Sequence, residues 1–223
     1  MRNIELAIKI MNLFPTDSIY LVGGSSRDYL LTGDFKDFDF ATPLTPDEII
    51  SLLNVDTYDE FAYKFGTVKT KIFNQEIEIT SFRKESNYTD NRHPNEVIFI
   101  DDIKEDAKRR DFTINAIYLD KDLKVHDFYN GISDLKSKTI RMIGNPYTRL
   151  KEDPLRIVRA LRFSLALEFN LDKDLEESIS SLKDEIKKIS SFRIQSEIKK
   201  MLKTNSKEEI KATFKKHNLE IDF

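Results

Sequence analysis

The apolar periodicity of this chain changes once, near residue 131, and the two halves cannot build the same kind of structure. From residue 17 to about 130, short runs rich in β-branched and aromatic residues alternate with polar turns: SIYLV, FDFAT, GTVKTKIF, QEIEITSF, EVIFI, FTINAIYL and KVHDF. A spacing of two puts alternate side chains on one face, the pattern of strands in a sheet. Beyond residue 131 the spacing lengthens towards 3.6. There PLRIVRALRFSLAL, LEESISSLKDEIKKI, FRIQSEIKKML and KEEIKATFKKHNL each predict an amphipathic helix. Upstream, IELAIKIMNLF predicts a helix packed on the sheet, and LTPDEIISLL another, with Thr45 as N-cap and Pro46 in the first helical position. The expectation is an α+β head over residues 1–135 followed by a helical domain over residues 136–223.

With 39% hydrophobic residues and sixteen Phe, a chain of 223 residues can fill one large core or two modest ones. It has no Cys, which excludes disulfides, thiolate chemistry and a Cys-based zinc site. MRNIELAIKIMNLFP is too charged for a signal segment, and no apolar run approaches about 18 residues, so no membrane partner and a cytoplasmic location are expected. The formal net charge is −3, but it is unevenly spread. Residues 136–162 hold eight Lys or Arg against two acids, and residues 183–216 hold eleven against five, so the remainder is strongly acidic. This asymmetry suits a metal-binding head beside a phosphate-binding surface. For 183–216 taken alone, solvated helical faces are the simpler reading.

In GDFKDFDFAT, Asp37 and Asp39 stand one residue apart among Phe35, Phe38 and Phe40. At i and i+2 of a strand they would share one face, with Cα atoms about 6.5 Å apart. Two like charges so held disfavour each other's ionisation unless a cation screens them. Just upstream, LVGGSSRDYLL sets Gly23 and Gly24 between an apolar strand and a helix expected to start near Ser25 or Ser26. Backbone N–H groups at such a turn attract phosphate, although ordinary tight turns look the same. In QEIEITSFR, Glu76 and Glu78 share the face opposite Ile77 and Ile79, and Glu78 is the candidate to complete a Mg²⁺ site. A solvated strand glutamate is the competing reading for at least one of them.

VGGSSRDYLLTGDFKDFDFAT resembles the first signature of the class II tRNA nucleotidyltransferases, the CCA-adding enzymes and their bacterial poly(A) polymerase relatives. RRDFTINAIYLD, DLKSKTIRMIGNPYTRLKEDPLRIVRALRF and a weaker FRIQSEIKKML follow in the same order, so the resemblance spans residues 18 to 202. It implies a polymerase-β-type nucleotidyltransferase head, a mixed β-sheet with flanking helices, followed by an all-helical neck that selects the nucleotide. The implied reaction is template-independent addition of CMP or AMP, from CTP and ATP, to the tRNA 3′ end. By position, the resemblance assigns Asp37 and Asp39 to two Mg²⁺ ions, and Glu78, from the strand reading alone, is the further catalytic candidate. It assigns Gly23, Gly24 and Arg27 to the triphosphate. Arg110, or its neighbour Arg109, goes to phosphate, and Asp111 and Asn115 go near the ribose. An ordinary ion pair between Arg27 and Asp28 is the competing local reading.

The same resemblance gives Asp153 and Arg156 the role of reading the base, with Arg159 and Arg162 extending a positive face toward triphosphate or RNA. Residues three apart share a helix face, and an Asp acceptor beside an Arg donor matches the edges of cytosine and adenine at about 1–3 kcal/mol of discrimination. An i, i+3 salt bridge worth roughly 0.2–0.5 kcal/mol is the bland alternative. The polar segment NYTDNRHPNEVIF resembles the family's flexible loop, associated with the switch from C to A, with Asp90, Arg92 and His93 as its candidates. Two positions depart from the pattern: Ser26 stands where an apolar residue is usual, and Phe192 where Glu is frequent. Family members also usually continue into body and tail domains beyond a point equivalent to Phe223, so either the protein is naturally minimal, or the chain is a piece of a longer one, or a partner chain or dimer supplies the tRNA-elbow surface. A poly(A) polymerase, or a non-catalytic RNA-binding remnant, are the rival functions.

Overall fold

The computed structural model describes residues 2–88 and 94–220, side chains at 85–88 and 94–96 excepted. The chain divides into two units, Met1–Asn87 with Pro94–Ile132, and a second built mainly from Ser133–Phe223. In the first, α1 (Asn3–Met11) leads into β1 (Tyr20–Leu21), α2 (Gly23–Thr32), β2 (Phe38–Thr42), α3 (Pro46–Leu53) and α4 (Glu60–Lys64). The hairpin of β3 (Thr67–Ile72) and β4 (Gln75–Ser81) follows, then the paired β5 (Arg83–Tyr88) and β6 (Pro94–Phe99). After α5 (Ile103–Arg109) and a 3-10 turn over Thr113–Asn115 come β7 (Ile117–Leu119) and β8 (Val125–Asp127). One mixed sheet runs in the order β3-β4-β2-β1-β7-β8, with β2 parallel to β4 and the other neighbours antiparallel.

Strand alternation fixes which way this sheet faces. Phe38, Phe40, Val68, Ile77 and Ile79 turn to one side and pack with Ile4, Ala7, Ile10 and Met11 of α1 and Ile49 of α3. Residues between them, Asp39 and Glu78, therefore turn to the other side. Helix α3 starts as its sequence requires: Pro46 occupies the first position, Thr45 Oγ1 accepts from Glu48 N, and Glu48 Oε2 accepts from Thr45 N at 2.8 Å.

Three local expectations change. Asp37 lies in the bend before β2 rather than inside the strand, so the two aspartates are not an i, i+2 strand pair. FTINAIYL is not one strand, because every residue from Phe112 to Leu119 is buried and no alternation survives. The chain closes a 3-10 turn there, Asn115 N donating to Phe112 O at 3.0 Å, before β7 begins. The polar stretch after Phe82 carries β5 and β6, while Asp90, Arg92 and His93 lie outside the described residues.

Helix α6 (Gly131–Lys136) spans the junction. The second unit continues through β9 (Thr139–Ile140), α7 (Pro146–Glu152), α8 (Leu155–Leu167), β10 (Asn170–Leu171) and α9 (Lys173–Ser181). A 3-10 stretch over Lys183–Lys188, α10 (Ser191–Met201) and α11 (Lys207–Lys216) complete it. It is helical apart from the short parallel pairing of β9 with β10. Ile157, Val158 and Leu161 of α8 are buried, as are Ile198 and Met201 of α10 and Ile210 and Phe214 of α11, and both later helices pack on α8. The helix expected over LEESISSLKDEIKKI tightens after Ser181. Its ion pairs Asp184–Lys187 and Glu185–Lys188, each 2.6 Å, are three apart, the spacing at which side chains eclipse in a 3-10 helix. Among the described residues no helix is long and apolar enough to cross a membrane.

Candidate active site

Asp39 sits at the meeting point of β2, β4 and the start of α2. On β2 it is the register partner of Glu78 on β4, and its carbonyl accepts from Val22 N at 3.0 Å. Gly23 follows at φ +71°, and a Cβ there would lie 3.6 Å from Asp39 Oδ2, so the glycine brings backbone against the carboxylate. Helix α2 begins at this glycine, ahead of the start near Ser25 or Ser26 that its sequence suggests. Ser25, in its first turn, ties the two acids together: its Oγ donates to Asp37 O at 2.6 Å and accepts from Asp39 N at 3.0 Å.

Burial, then the charges of Glu78 and Asp37, push Asp39 up to about 6, against opposing charges on Arg110 and Lys69. Asp37 is exposed. Both acids open on a cleft of about 850 Å³ whose walls include Glu78, Lys69, Lys71 and Asn54. An acid pair strained by its own negative charge, with free space beside it, suits a hard divalent cation bound through oxygen. Glu78 is held otherwise: its Oε1 lies 2.6 Å from Lys69 Nζ. Among the described residues, no group of three or more His, Asp or Glu is placed to hold a metal ion.

Arg27, Asp111 and Asn115 lie together. Arg27 Nη1 donates to Asn115 Oδ1 at 2.8 Å, and Asn115 Nδ2 reaches Asp111 Oδ1 at 3.5 Å. The local ion pair also exists, Arg27 Nε donating to Asp28 Oδ1 at 2.8 Å. Gly24 lies against Arg27, whose Nη2 would be 3.6 Å from a Cβ at that glycine. Ser26, the position usually apolar, is fully buried and donates to Ile117 O at 2.7 Å.

Arg109 and Arg110 converge on a fully buried Asp106, by Arg109 Nε at 2.7 Å and Arg110 Nη2 at 3.2 Å. Tyr118 Oη donates to the same carboxylate at 2.6 Å and accepts from Arg110 Nε at 2.8 Å. Burial alone would raise Asp106. The charges of Arg109 and Arg110, with the tyrosine hydrogen bond, outweigh it and hold the acid down at about 2.

In the second unit the expected Asp153–Arg156 helix face is not formed. Asp153 stands between α7 and α8 with extended backbone, φ −142°, and Pro154 caps α8. A residue before proline is kept out of the helical region, which is why the two side chains diverge. Asp153 instead accepts from Arg193 Nη2 on α10, at 3.1 and 3.0 Å to its two oxygens. Arg156 Nη1 donates to Arg149 O at 2.7 Å and to Glu152 Oε2 at 3.0 Å. Arg159 and Arg162 do not present bare charge: Glu197, almost fully buried, lies 3.8 Å from Arg159 Nη1 and 2.6 Å from Arg162 Nε. Burial would raise Glu197, but those two arginines and Lys200 hold it below the usual carboxylate range.

Residues 19–141 match the family described as the Poly A polymerase head domain, and residues 168–216 match the Probable RNA and SrmB-binding site of polymerase A. The CCA-adding enzyme of Staphylococcus epidermidis is 41% identical over 175 residues, which is 78% of this chain and 43% of that enzyme. That of Enterococcus faecalis is 43% identical over the same shares of both chains. The chain belongs to the tRNA nucleotidyltransferase and poly(A) polymerase family. It spans less than half the length of these curated relatives. Among solved structures, the Bacillus stearothermophilus CCA-adding enzyme in complex with CTP superposes with a TM-score of 0.82 at 30% identity, over 96% of this chain and 52% of that one. A tRNA nucleotidyltransferase complexed with a primer tRNA and an incoming ATP analog gives 0.70 at 30% identity, over 90% and 57%.

Several residues that shape this family member's site were not singled out by its sequence. Ser25 was legible only as the first turn of a helix after a glycine pair. Asp106 reads as one more acid in KEDAKRR, and only the fold folds Tyr118 over it. Lys69 alternates with Lys71 along β3, facing Glu78 and Glu76 in register, a cross-strand charge pattern visible once the hairpin is drawn.

Proposed function

We propose that the chain is a tRNA nucleotidyltransferase that adds CMP and AMP, from CTP and ATP, to the tRNA 3′ end, releasing pyrophosphate. The observation that carries this reading is the Asp37–Asp39 pair, tied by Ser25, open to a cleft and set against Gly23 at the start of α2. The first unit is then the catalytic head and the second the nucleotide-selecting and RNA-binding neck. Asp37 and Asp39 would hold two Mg²⁺ ions, which when bound supply activation of the 3′-hydroxyl and neutralisation of the departing pyrophosphate. The chain's own part is positional. Gly23 and Gly24 let the α2 N-terminus approach the triphosphate, Arg27 is oriented toward it by Asn115, and Asp111 with Asn115 borders the ribose. Arg110, anchored by Asp106, supplies a fixed positive charge beside Asp39. The basic stretches of the neck give salt-sensitive RNA affinity in the same proposal.

Incubating the protein with tRNA lacking its 3′ end, omitting CTP or ATP in turn, and sequencing the products tests this directly. CCA or terminal A addition supports it. A long A tract from ATP alone would instead identify the poly(A) polymerase activity named by the family. No incorporation above background by the wild-type chain, with tRNA binding intact, would reduce it to an RNA-binding remnant.

A further inference from the structure

Three side chains stand in one row across β3, β4 and β2. Lys69 is the register partner of Glu78, and Glu78 of Asp39. Adjacent strands are about 4.8 Å apart, so a carboxylate in the middle of the row can turn to either neighbour. Glu78 turns to the lysine, at 2.6 Å. The second ladder pair, Lys71 with Glu76, is looser at 3.3 Å and more exposed, so the tighter contact is the one that borders Asp39.

We infer that Lys69 is a positioning residue that withholds Glu78 from the metal-binding set, leaving a centre of two aspartates rather than three carboxylates. This rests on the reading of Asp37 and Asp39 as divalent-cation ligands. Asp37, Asp39 and Glu78 together would carry three negative charges onto one small region. Lys69 neutralises the third and turns its oxygen away, consistent with the failure of these acids to converge as a threefold cluster among the described residues. Without the lysine, Glu78 has no opposing charge on β3 at its own register position, and it borders Asp39 on β2. A lysine here therefore sets how many carboxylates, and how much charge, a bound metal meets.

Mn²⁺ binding to the full chain, followed by electron paramagnetic resonance at constant ionic strength without nucleotide or RNA, tests the inference without reference to turnover. Lys69→Met is expected to bind Mn²⁺ about two- to fivefold more tightly than wild type, the range to which an exposed ion pair's free energy converts. Lys69→Met combined with Glu78→Gln is expected to return to wild-type affinity, because the added carboxylate is gone again. A double variant at least tenfold weaker than wild type would make Glu78 a metal ligand in its own right and overturn the assignment, as would a Lys69→Met variant with unchanged affinity. Asp37→Asn with Asp39→Asn separates the two levels: Mn²⁺ binding that survives there overturns the aspartate reading itself. Lys69 and Glu78 are both about half exposed, so the variants fold, and a circular-dichroism melt verifies it.

Discussion

Ser25 Oγ accepts from the backbone N–H of Asp39 at 3.0 Å while donating to the carbonyl of Asp37 at 2.6 Å. One hydroxyl thus sets the bend that brings the second acid alongside the first. Ser25 is 1% exposed, and its loss removes hydrogen bonds from a part-buried amide and carbonyl. Ser25→Ala is expected to lower unfolding free energy by about 1–3 kcal/mol and to slow nucleotide incorporation, because both aspartates lose their shared anchor. Urea unfolding and single-turnover incorporation measure the two effects separately. Asp39→Asn is expected to cost about 10²–10³-fold or more in rate while unfolding no less cooperatively than wild type.

Asp39 also gives the metal-free protein a characteristic pH dependence. Burial and then the charges of Glu78 and Asp37 raise it from 3.8 to about 6, so the folded chain holds this proton more tightly than the unfolded chain. The stabilisation is complete below about pH 4 and is lost as pH rises through 6. In chelator, stability should fall by on the order of 2–3 kcal/mol between pH 4 and 7 from this position, and Asp39→Asn should remove that slope. Added Mg²⁺ should stabilise wild type increasingly above pH 6, where the carboxylate is ionised, and Asp39→Asn hardly at all. Thermal melts across pH, with and without Mg²⁺, check both signs.

Much of this site was legible because strands with one buried face announce their register. Phe38, Phe40, Ile77 and Ile79 declare the core side, which leaves Asp39 and Glu78 no place but the opposite face. Thr45 and Pro46 marked the start of α3 for equally local reasons. Contacts decided by distant segments were not legible. Asp37 leaves the strand because a serine on α2 captures its carbonyl, and FTINAIYL loses its alternation because it is buried on all sides. The pairing of Asp153 is hidden for a different reason. Spacing of three implied Arg156, whereas Pro154 between them already signalled that Asp153 stays outside the helix.

The buried carboxylate of Asp106 ties separate segments of the first unit together. It accepts from Arg109, Arg110, Tyr118 and Arg83 N, the last at 3.2 Å. Asp106→Asn would leave two guanidiniums facing a neutral amide and is expected to cost about 3–5 kcal/mol, read by urea unfolding at neutral pH. Tyr118→Phe removes one hydrogen bond to a charged group and should cost about 1.5–3 kcal/mol. The acid is held at about 2, below its unfolded value, so its contribution is present above about pH 4 and disappears as pH falls through 2. Wild type should therefore lose stability across that acid window, and Asp106→Asn should lose less.

Arg193 grips both oxygens of Asp153, while Arg156 is turned to Glu152 and the Arg149 carbonyl. If Asp153 accepts from the amino group of cytosine or adenine, the direction of its lone pairs is set by Arg193, forty residues away, rather than by Arg156. Asp153→Ala should then erode the preference for CTP and ATP over UTP and GTP by about 1–3 kcal/mol in competition assays, roughly five- to 150-fold. Arg193→Ala should erode it too, by less, since the acceptor remains but is no longer aimed. Arg193→Lys should restore part of the preference, because both contacts come from the single Nη2, which an ammonium can imitate. A merely structural pair predicts the opposite split: Arg193→Ala would lower the unfolding free energy and leave the nucleotide ratio where it was.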